Sequence, residues 1–272
     1  DVALKYGYDS PESFTKAFTR FYGASPSAIR SSSTPLRFYS PLTIQINVKG
    51  GFNVSKKLLT DIRDLIDGDQ GHNYALPDCI KYIFERIGDF EQLDFWKFAA
   101  LTGDTVAQVY NHNLTTSCEY CVSGFLGGKE YIADIFDMIG YQHEYATAEQ
   151  IISNTASYAQ KITEYIDKGI PILVKTNLND IPTWDSDVGT YCLIIGYEDD
   201  GRIVKLLVSD KNTIDYTIDG DNKLDLIFIG SKQKEMTLED IYIQVIKKMP
   251  YWLTLPERDG KYFGAAAYRK WA

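Results

Sequence analysis

The segment TYCLIIGYE, residues 190–198, is a short apolar run rich in β-branched and aromatic residues, which is typical of a strand. Three runs of the same kind surround it: ILVKTN at 172–177, IVKLLVSD at 203–210 and DLIFIGS at 225–231. Turn-forming and polar residues separate them. The second half of the chain therefore predicts an antiparallel sheet.

Helical patterns dominate the chain before this sheet, up to about residue 169. The predicted helices are Val54–Asp67, Pro77–Ile87, Leu93–Thr102, Lys129–Ile139 and Ala148–Asp167, with a C-terminal helix at Leu238–Met249. Helices first and an antiparallel sheet second predict the α+β class.

The bulk composition describes a globular chain that is longer than one typical domain. The chain has 272 residues, of which 44% are hydrophobic, and this excludes a disordered protein. We find no apolar run near 18 residues and no signal peptide, so we expect no membrane partner. The first residue is Asp rather than Met, which suggests a fragment.

The four cysteines form no regular disulfide framework, and we therefore expect a reduced, cytoplasmic protein. Cys118 and Cys121 form a C-x-x-C pair, but no second pair would complete four zinc ligands. His112 and His143 could complete a set only if the fold brought them close. We predict no metal and no cofactor.

The first thirty residues, DVALKYGYDSPESFTKAFTRFYGASPSAIR, predict three short helices. Gly7 ends the first, Asp9 or Ser10 caps the second with Pro11 in its first turn, and Gly23 ends it. Ser25-Pro26-Ser27 starts the third. Helix, short turn and helix is a helix-turn-helix arrangement.

The middle helix has an apolar face built on Phe14, Phe18 and Phe21 and an opposite polar face. In a helix-turn-helix the polar face enters the major groove, although a solvated surface helix has the same pattern. Residues 1–33 carry a net charge of +1 and the remainder −10, so DNA contact is expected only here. The candidate DNA-binding residues are Ser10, Glu12, Ser13, Thr15, Lys16, Thr19 and Arg20.

This segment resembles the second helix-turn-helix of AraC-type transcription regulators, through Ala3, Gly7-Tyr8, the two spaced Phe and the G-x-S-P-S motif before Arg30. The resemblance implies a transcription regulator whose first helix-turn-helix would precede residue 1, so the fragment is expected to bind DNA poorly alone. We assign 1–33 to a truncated DNA-binding module, 34–52 to a linker with a bridging strand at Leu42–Val48, and 53–272 to an effector domain. Regulators of this type are expected to form homodimers.

Cys79 is the candidate nucleophile, because it stands near the start of a predicted helix, where the helix dipole favours a thiolate. It also lies on the apolar side of that helix with Ile80, Ile83 and Phe84, so a buried core residue explains it equally well.

Residues from about 70 to 230 resemble a papain-like domain of the bacteriocin-processing (double-glycine) peptidase-like kind, through the pair Asp78-Cys79 and the strand that ends in Gly-Tyr-Glu. The resemblance implies an oxyanion-hole amide at Asn73 and an orienting carboxylate at Asp210. The Gly that follows the family's Cys is Ile80 here. The family's catalytic His falls on Thr190, or on Tyr191 if the register shifts by one.

Neither Thr190 nor Tyr191 can take a proton from a thiol near neutral pH, so the resemblance predicts a peptidase fold without peptidase chemistry. A cleft lined by Cys79, Trp96, Trp184 and Tyr191 would then bind an unknown small molecule or peptide. Two alternatives stay open. One is an active cysteine hydrolase or butirosin-type acyltransferase, which needs His72 close to Cys79. The other is an interaction domain without a ligand.

Overall fold

The computed structural model describes residues 2–31, 55–65, 74–111, 121–258 and 260–272. The chain divides into two compact units, Asp1–Phe52 and Asn53–Ala272. The linker strand expected at Leu42–Val48 lies outside the described residues.

The first unit contains three short helices, α1 (Val2–Lys5), α2 (Pro11–Tyr22) and α3 (Pro26–Ser31). The side chain of Ser10 caps α2 by accepting from the Ser13 backbone N–H, and Gly23 ends it with a φ of 73°. Such a left-handed backbone strains residues with a Cβ, so glycine is favoured at this helix end. These ends are as the sequence predicted.

The second unit is a mixture of helices and antiparallel strands, which confirms the α+β class. Its strands are β1 (Lys57–Leu58), β2 (Val109–Tyr110), β3 (Tyr141–Ala146), β4 (Ile172–Asn177), β5 (Gly189–Glu198), β6 (Ile203–Leu207), β7 (Thr213–Thr217), β8 (Asp225–Lys232) and β9 (Tyr262–Phe263). Its helices are α4 (Ala75–Ile87), α5 (Phe95–Leu101), α6 (Val122–Leu126), α7 (Lys129–Ile139), α8 (Ala148–Ser153), α9 (Thr155–Asp167), α10 (Leu238–Leu253) and α11 (Gly264–Trp271).

One sheet organises the second unit, with strands in the order β3-β8-β4-β5-β6-β7 and with β1 paired to the end of β5. All of its pairings are antiparallel. Strands β4 and β5 are in the middle, and their apolar side chains are almost all buried. The small β2–β9 pair lies apart from this sheet.

Helices cover both faces of the sheet. Tyr158 and Tyr165 of α9 pack on Phe228 of β8, while Phe136 of α7 stacks on His143 of β3 at 5.2 Å. Phe228 pairs with Glu144, the neighbour of His143, and successive side chains of a strand point to opposite faces. Helices α7 and α9 therefore lie on opposite faces of the sheet.

Several boundaries differ from the sequence prediction. The helix predicted at Val54–Asp67 is wrong for the described residues 55–65, because this segment extends along β5, with the Leu59 N–H bonded to the Ile195 carbonyl at 2.9 Å. The predicted Ala148–Asp167 helix is two helices, since Asn154 adopts a non-helical φ of −146°. Strands β3 and β7 were missed. Helix α10 continues past the predicted Met249 through Pro250 to Leu253.

None of the helices in the described ranges is both long enough and apolar enough to cross a membrane.

Candidate functional site

Cys79 is a core residue, which is one of the two interpretations that the sequence left open. It is the fifth residue of α4, one turn beyond the helix start, and its exposed fraction is 0%. Burial, followed by the neighbouring Cys192 and Asp78, raises the pKa of its thiol well above the ordinary value. The helix dipole therefore does not produce a thiolate here, because desolvation outweighs it.

Two other members of the expected peptidase site are described, and the β5–β6 register, extended three residues beyond Leu193↔Leu207, sets Asp210 opposite Thr190. Thr190 is nearly buried on β5, and its hydroxyl lies 3.4 Å from the adjoining Tyr191 carbonyl. Asp210 is exposed beyond β6 and accepts from the Asn212 N–H within its own turn at 3.0 Å. Asn73 and His72 lie outside the described residues, as do His112 and Cys118.

Tyr191 occupies a polar row that crosses the middle of the sheet. It pairs in register with Lys175 on β4, and Lys175 pairs in register with Asp225 on β8. Residues paired in this way point to the same face, with Cβ atoms about 5 Å apart. Asp225 in turn accepts from the Tyr145 hydroxyl at 2.6 Å. Two phenols, one ammonium and one carboxylate thus share one face.

The Tyr191 hydroxyl is buried and has no hydrogen-bond partner among the described residues. Its pKa is raised well above the ordinary value by burial first, and then by Tyr145 and Asp104. A buried hydroxyl without a partner costs about 1–3 kcal/mol, so its retention in the core is unusual.

Helix α6 lies directly over the Tyr191 and Lys175 side chains. A Cβ added to Gly127, at the end of α6, would lie 2.3 Å from the Tyr191 hydroxyl oxygen and 3.0 Å from Cε of Lys175. The glycine is required by this close approach, since any larger residue would push the phenol or the ammonium aside.

Asp104 lies beside the first turn of α6 and is 1% exposed. Its Oδ1 accepts from the Ser123 backbone N–H at 2.8 Å, and its Oδ2 lies 2.7 Å from the Thr102 hydroxyl. Cys121, the N-cap residue of α6, provides no side-chain cap, so Asp104 satisfies an N–H group of the first turn. A purely structural capping role explains this much.

Capping alone does not explain the raised pKa of Asp104. Burial raises its pKa to about 6, against the opposing hydrogen bonds from Ser123 and Thr102. The Thr102 hydroxyl also lies 3.1 Å from the Ala99 carbonyl, and its single hydrogen can serve only one acceptor. Both contacts are satisfied together when the Asp104 carboxyl is protonated and donates to Thr102.

Tyr131 closes the group, because its hydroxyl donates to the Thr102 carbonyl at 2.6 Å. Burial and then the charge of Asp104 raise the pKa of Tyr131 well above the ordinary value. We call this group the Asp104 cluster, and its members are Thr102, Asp104, Ser123, Tyr131, Lys175 and Tyr191. It offers a titratable carboxyl, an ammonium and an unpaired phenol within one buried region.

The two tryptophans expected to line a cleft are surface residues. Trp96 on α5 is 50% exposed and packs edge-on against Phe95, and Trp184 is 37% exposed in the turn before β5. The other two expected lining residues, Cys79 and Tyr191, are close to each other, since the Cys79 charge contributes to the raised pKa of Tyr191.

The expected DNA-contacting residues lie on one helix and its cap. All except the half-buried Ser10 are exposed. The hydroxyls of Thr15 and Thr19 each donate to the carbonyl four residues earlier, at 2.8 Å, so Lys16 and Arg20 are the extended cationic groups of this face. The opposite face carries Phe14, which packs edge-on against Tyr8 and at a tilt against Phe18.

Sequence reasoning found Tyr191 but missed Asp104, Tyr131 and Lys175. A charged residue inside an otherwise apolar strand, as in ILVKTN, was a usable signal for Lys175. Asp104 stands in a turn where an acidic residue is ordinary, and only the fold reveals its burial. Among the described residues, no group of three His, Cys, Asp or Glu side chains could hold a metal ion.

Comparison of the chain with models of known protein families, with curated proteins and with solved structures finds no match in any of the three.

Proposed function

We propose that the chain is part of an AraC-type transcription regulator, cytoplasmic, in which a papain-like domain at residues 53–272 binds a small molecule or peptide and performs no cysteine-peptidase chemistry. The observation that carries the proposal is the buried Tyr191 hydroxyl, which has no partner among the described residues; the resemblance sets the catalytic His at Thr190, or at Tyr191 if the register shifts by one. A general base there has been exchanged for a group that can only donate or accept a hydrogen bond near neutral pH.

The burial of Cys79 supports the loss of peptidase chemistry. A thiol nucleophile must reach its substrate and must ionise, and Cys79 does neither in this conformation. The competing hydrolase or acyltransferase interpretation would require α4 to move away from the sheet and a base to arrive from outside the described residues.

The Asp104 cluster supports ligand binding. Its ammonium at Lys175 makes no ion pair with any described residue, and the Tyr191 hydroxyl beside it has no partner. A bound carboxylate would satisfy both groups at once. A ligand that favours one arrangement of α6 over another would provide a signal for the regulator.

A thermal-shift screen of small carboxylic acids and short peptides tests this proposal. A ligand present at 100 times its Kd adds about 2.7 kcal/mol, which raises the Tm of a domain of this size by several degrees. Tyr191→Phe and Lys175→Met should remove the shift. The matched control is Tyr197→Phe on the same strand, whose hydroxyl bonds Asp167 away from the cluster. A shift that survives both cluster variants would contradict the assignment.

DNA binding is tested separately by fluorescence anisotropy with a random-sequence duplex at low salt. Lys16→Ala and Arg20→Ala should each weaken binding and reduce the slope of log K against log salt by about 1, as expected for one lost phosphate contact. Lys56→Ala removes an exposed cation from the other unit and is the control. Binding that Lys16→Ala and Arg20→Ala both leave unchanged would count against this role for α2.

A further inference from the structure

Helix α6 has the charged groups of the Asp104 cluster at its two ends. Asp104 accepts from the Ser123 N–H in the first turn at 2.8 Å, while the Tyr191 hydroxyl and the Lys175 side chain lie against Gly127 at the other end. The Ser123 carbonyl is 3.0 Å from the point where a Gly127 Cβ would stand, and the Tyr191 hydroxyl is closer still to that point. Four residues of a helix rise about 6 Å, so the carboxyl lies about one helical turn from the phenol and the ammonium.

The titratable groups around the Asp104 carboxyl are three phenols and one thiol. The phenols are Tyr74 at the start of α4, Tyr131 on α7 and Tyr191 on β5, and the thiol is Cys121 at the start of α6. Burial first, and then nearby groups that include Asp104, raise the pKa of each phenol, so all three are uncharged near neutral pH. Within the described chain no cation forms an ion pair with Asp104.

The carboxylate that is paired in register with Lys175 is already bound elsewhere. Asp225 accepts from the Tyr145 hydroxyl at 2.6 Å and from the Ala148 backbone N–H at 2.8 Å. It forms no ion pair with Lys175 within the described ranges. The Lys175 ammonium is therefore available to a ligand anion, together with the neighbouring Tyr191 hydroxyl.

An anion held by Lys175 and Tyr191 would lie within reach of the Asp104 charge. That charge already contributes to the raised pKa of Tyr191, and a ligand carboxylate bonded to the Tyr191 hydroxyl would lie beside it. Two carboxylates in one buried region repel each other when a single ammonium must serve both. A proton on Asp104 removes this repulsion, and the carboxyl can then donate to the Thr102 hydroxyl while it accepts from the Ser123 N–H.

We propose that the site takes up its ligand carboxylate together with one proton, which Asp104 holds. The charges of Lys175 and Asp104 balance before binding, and those of Lys175 and the ligand balance afterwards, so the buried region gains no net charge. The inference rests on the proposed ligand site and adds its regulation by pH. Ligand and proton promote each other's binding by the same factor. Because the pKa of Asp104 is about 6 in the free chain, the ligand should bind more tightly below this pH than above it.

An NMR titration with acetate at constant ionic strength tests the proposal at pH 5.5 and 7.5, where acetate is largely ionised. The amide signals of Ser123 and Gly127 report binding at the site. The wild-type Kd should be at least about fivefold higher at pH 7.5. Asp104→Asn should give one Kd at both pH values, close to that of the wild type at low pH. His143→Gln is the matched control, because it removes a described histidine that stacks on Phe136, and it should keep the wild-type difference.

The reciprocal measurement needs no variant. Saturating acetate should raise the pKa of the Asp104 carboxyl, followed by carbon NMR, by about one unit. A wild-type Kd that is equal at both pH values, with binding still abolished by Lys175→Met and by Tyr191→Phe, would overturn proton uptake and leave the ligand site in place. Acetate that moves neither amide signal at either pH, or shifts that survive both site variants, would overturn the ligand site as well.

Discussion

Two buried titratable side chains of the second unit, Cys79 and Asp104, differ in their surroundings. Cys79 lies among apolar side chains with a second thiol, Cys192, as its neighbour. Asp104 is held by the Ser123 N–H and the Thr102 hydroxyl and lies near two phenols.

The cost of burial explains why the second residue is the stronger indication of a site. A thiol behaves as a small hydrophobic group, so placing it in a core requires no compensation. A carboxyl loses several kcal/mol of hydration unless it is neutralised or well hydrogen-bonded. A protein that retains Asp104 in its core must provide partners for it, and those partners define a polar region in which ligand groups can also be bound.

The largest expected effect concerns the reactivity of Cys79. In the folded chain between pH 7 and 9, a thiol-directed probe should label Cys79 at least about 10³ times more slowly than in the unfolded chain, since labelling requires opening of the core. Peptide mapping by mass spectrometry separates Cys79 from the other cysteines. Unfolding in urea provides the fully reactive reference, and Cys79→Ala verifies the assignment of the peptide.

Rapid labelling of Cys79 at pH 7, with a midpoint of the pH dependence well below the free-thiol value of about 8.5, would make Cys79 and not Asp104 the stronger indication of a site. It would mean that α4 opens readily, and the hydrolase interpretation would become the better one.

The second effect concerns the charge of Asp104. Its pKa is about 6 in the folded chain and near 3.8 when unfolded, so the folded state binds the proton more tightly. The stability that this provides is present below pH 3.8 and is lost as the pH rises through 6, a change of about 3 kcal/mol at most. Asp104→Asn resembles the protonated form, so it should raise the free energy of unfolding at pH 7.5 and leave it nearly unchanged at pH 4.

Urea titrations at both pH values measure this difference. Asp94→Asn is the matched control, because Asp94 caps α5 through the Lys97 N–H, and these bonds outweigh its partial burial and lower its pKa. That variant should lose stability at pH 7.5. An Asp104→Asn variant that loses stability in the same way would show that Asp104 is ionised and acts as an ordinary cap.

The sequence predicted the elements whose ends depend on local chemistry. Strand β4 and helix α7 were predicted with their observed bounds, and the ends of α2 follow from Ser10 and Gly23. Residues 55–65 were mistaken for a helix because their conformation depends on pairing with the distant strand β5.

The same distinction applies to the site. Tyr191 could be found because it lies at a recognisable position of a strand. The Asp104 cluster could not, because Ser123, Tyr131 and Tyr191 come from separate elements that only tertiary packing brings to Asp104. Asp210, which the resemblance gives as the orienting carboxylate, accepts from the Asn212 N–H within its own turn, and its role stays a prediction.

The smallest expected effect is a difference in the free energy of unfolding when each of two phenols of the Asp104 cluster loses its hydroxyl. Tyr131 donates to the Thr102 carbonyl, whereas Tyr191 has no partner among the described residues. Tyr131→Phe should therefore lower the free energy of unfolding by about 1 kcal/mol, while Tyr191→Phe should raise it by a similar amount, because an unsatisfied buried hydroxyl is removed. Urea unfolding of the two variants under identical conditions measures the opposite signs. If Tyr191→Phe instead destabilises the chain, its hydroxyl already has a partner in solution, and the cluster would be a closed structural network rather than a site awaiting a ligand.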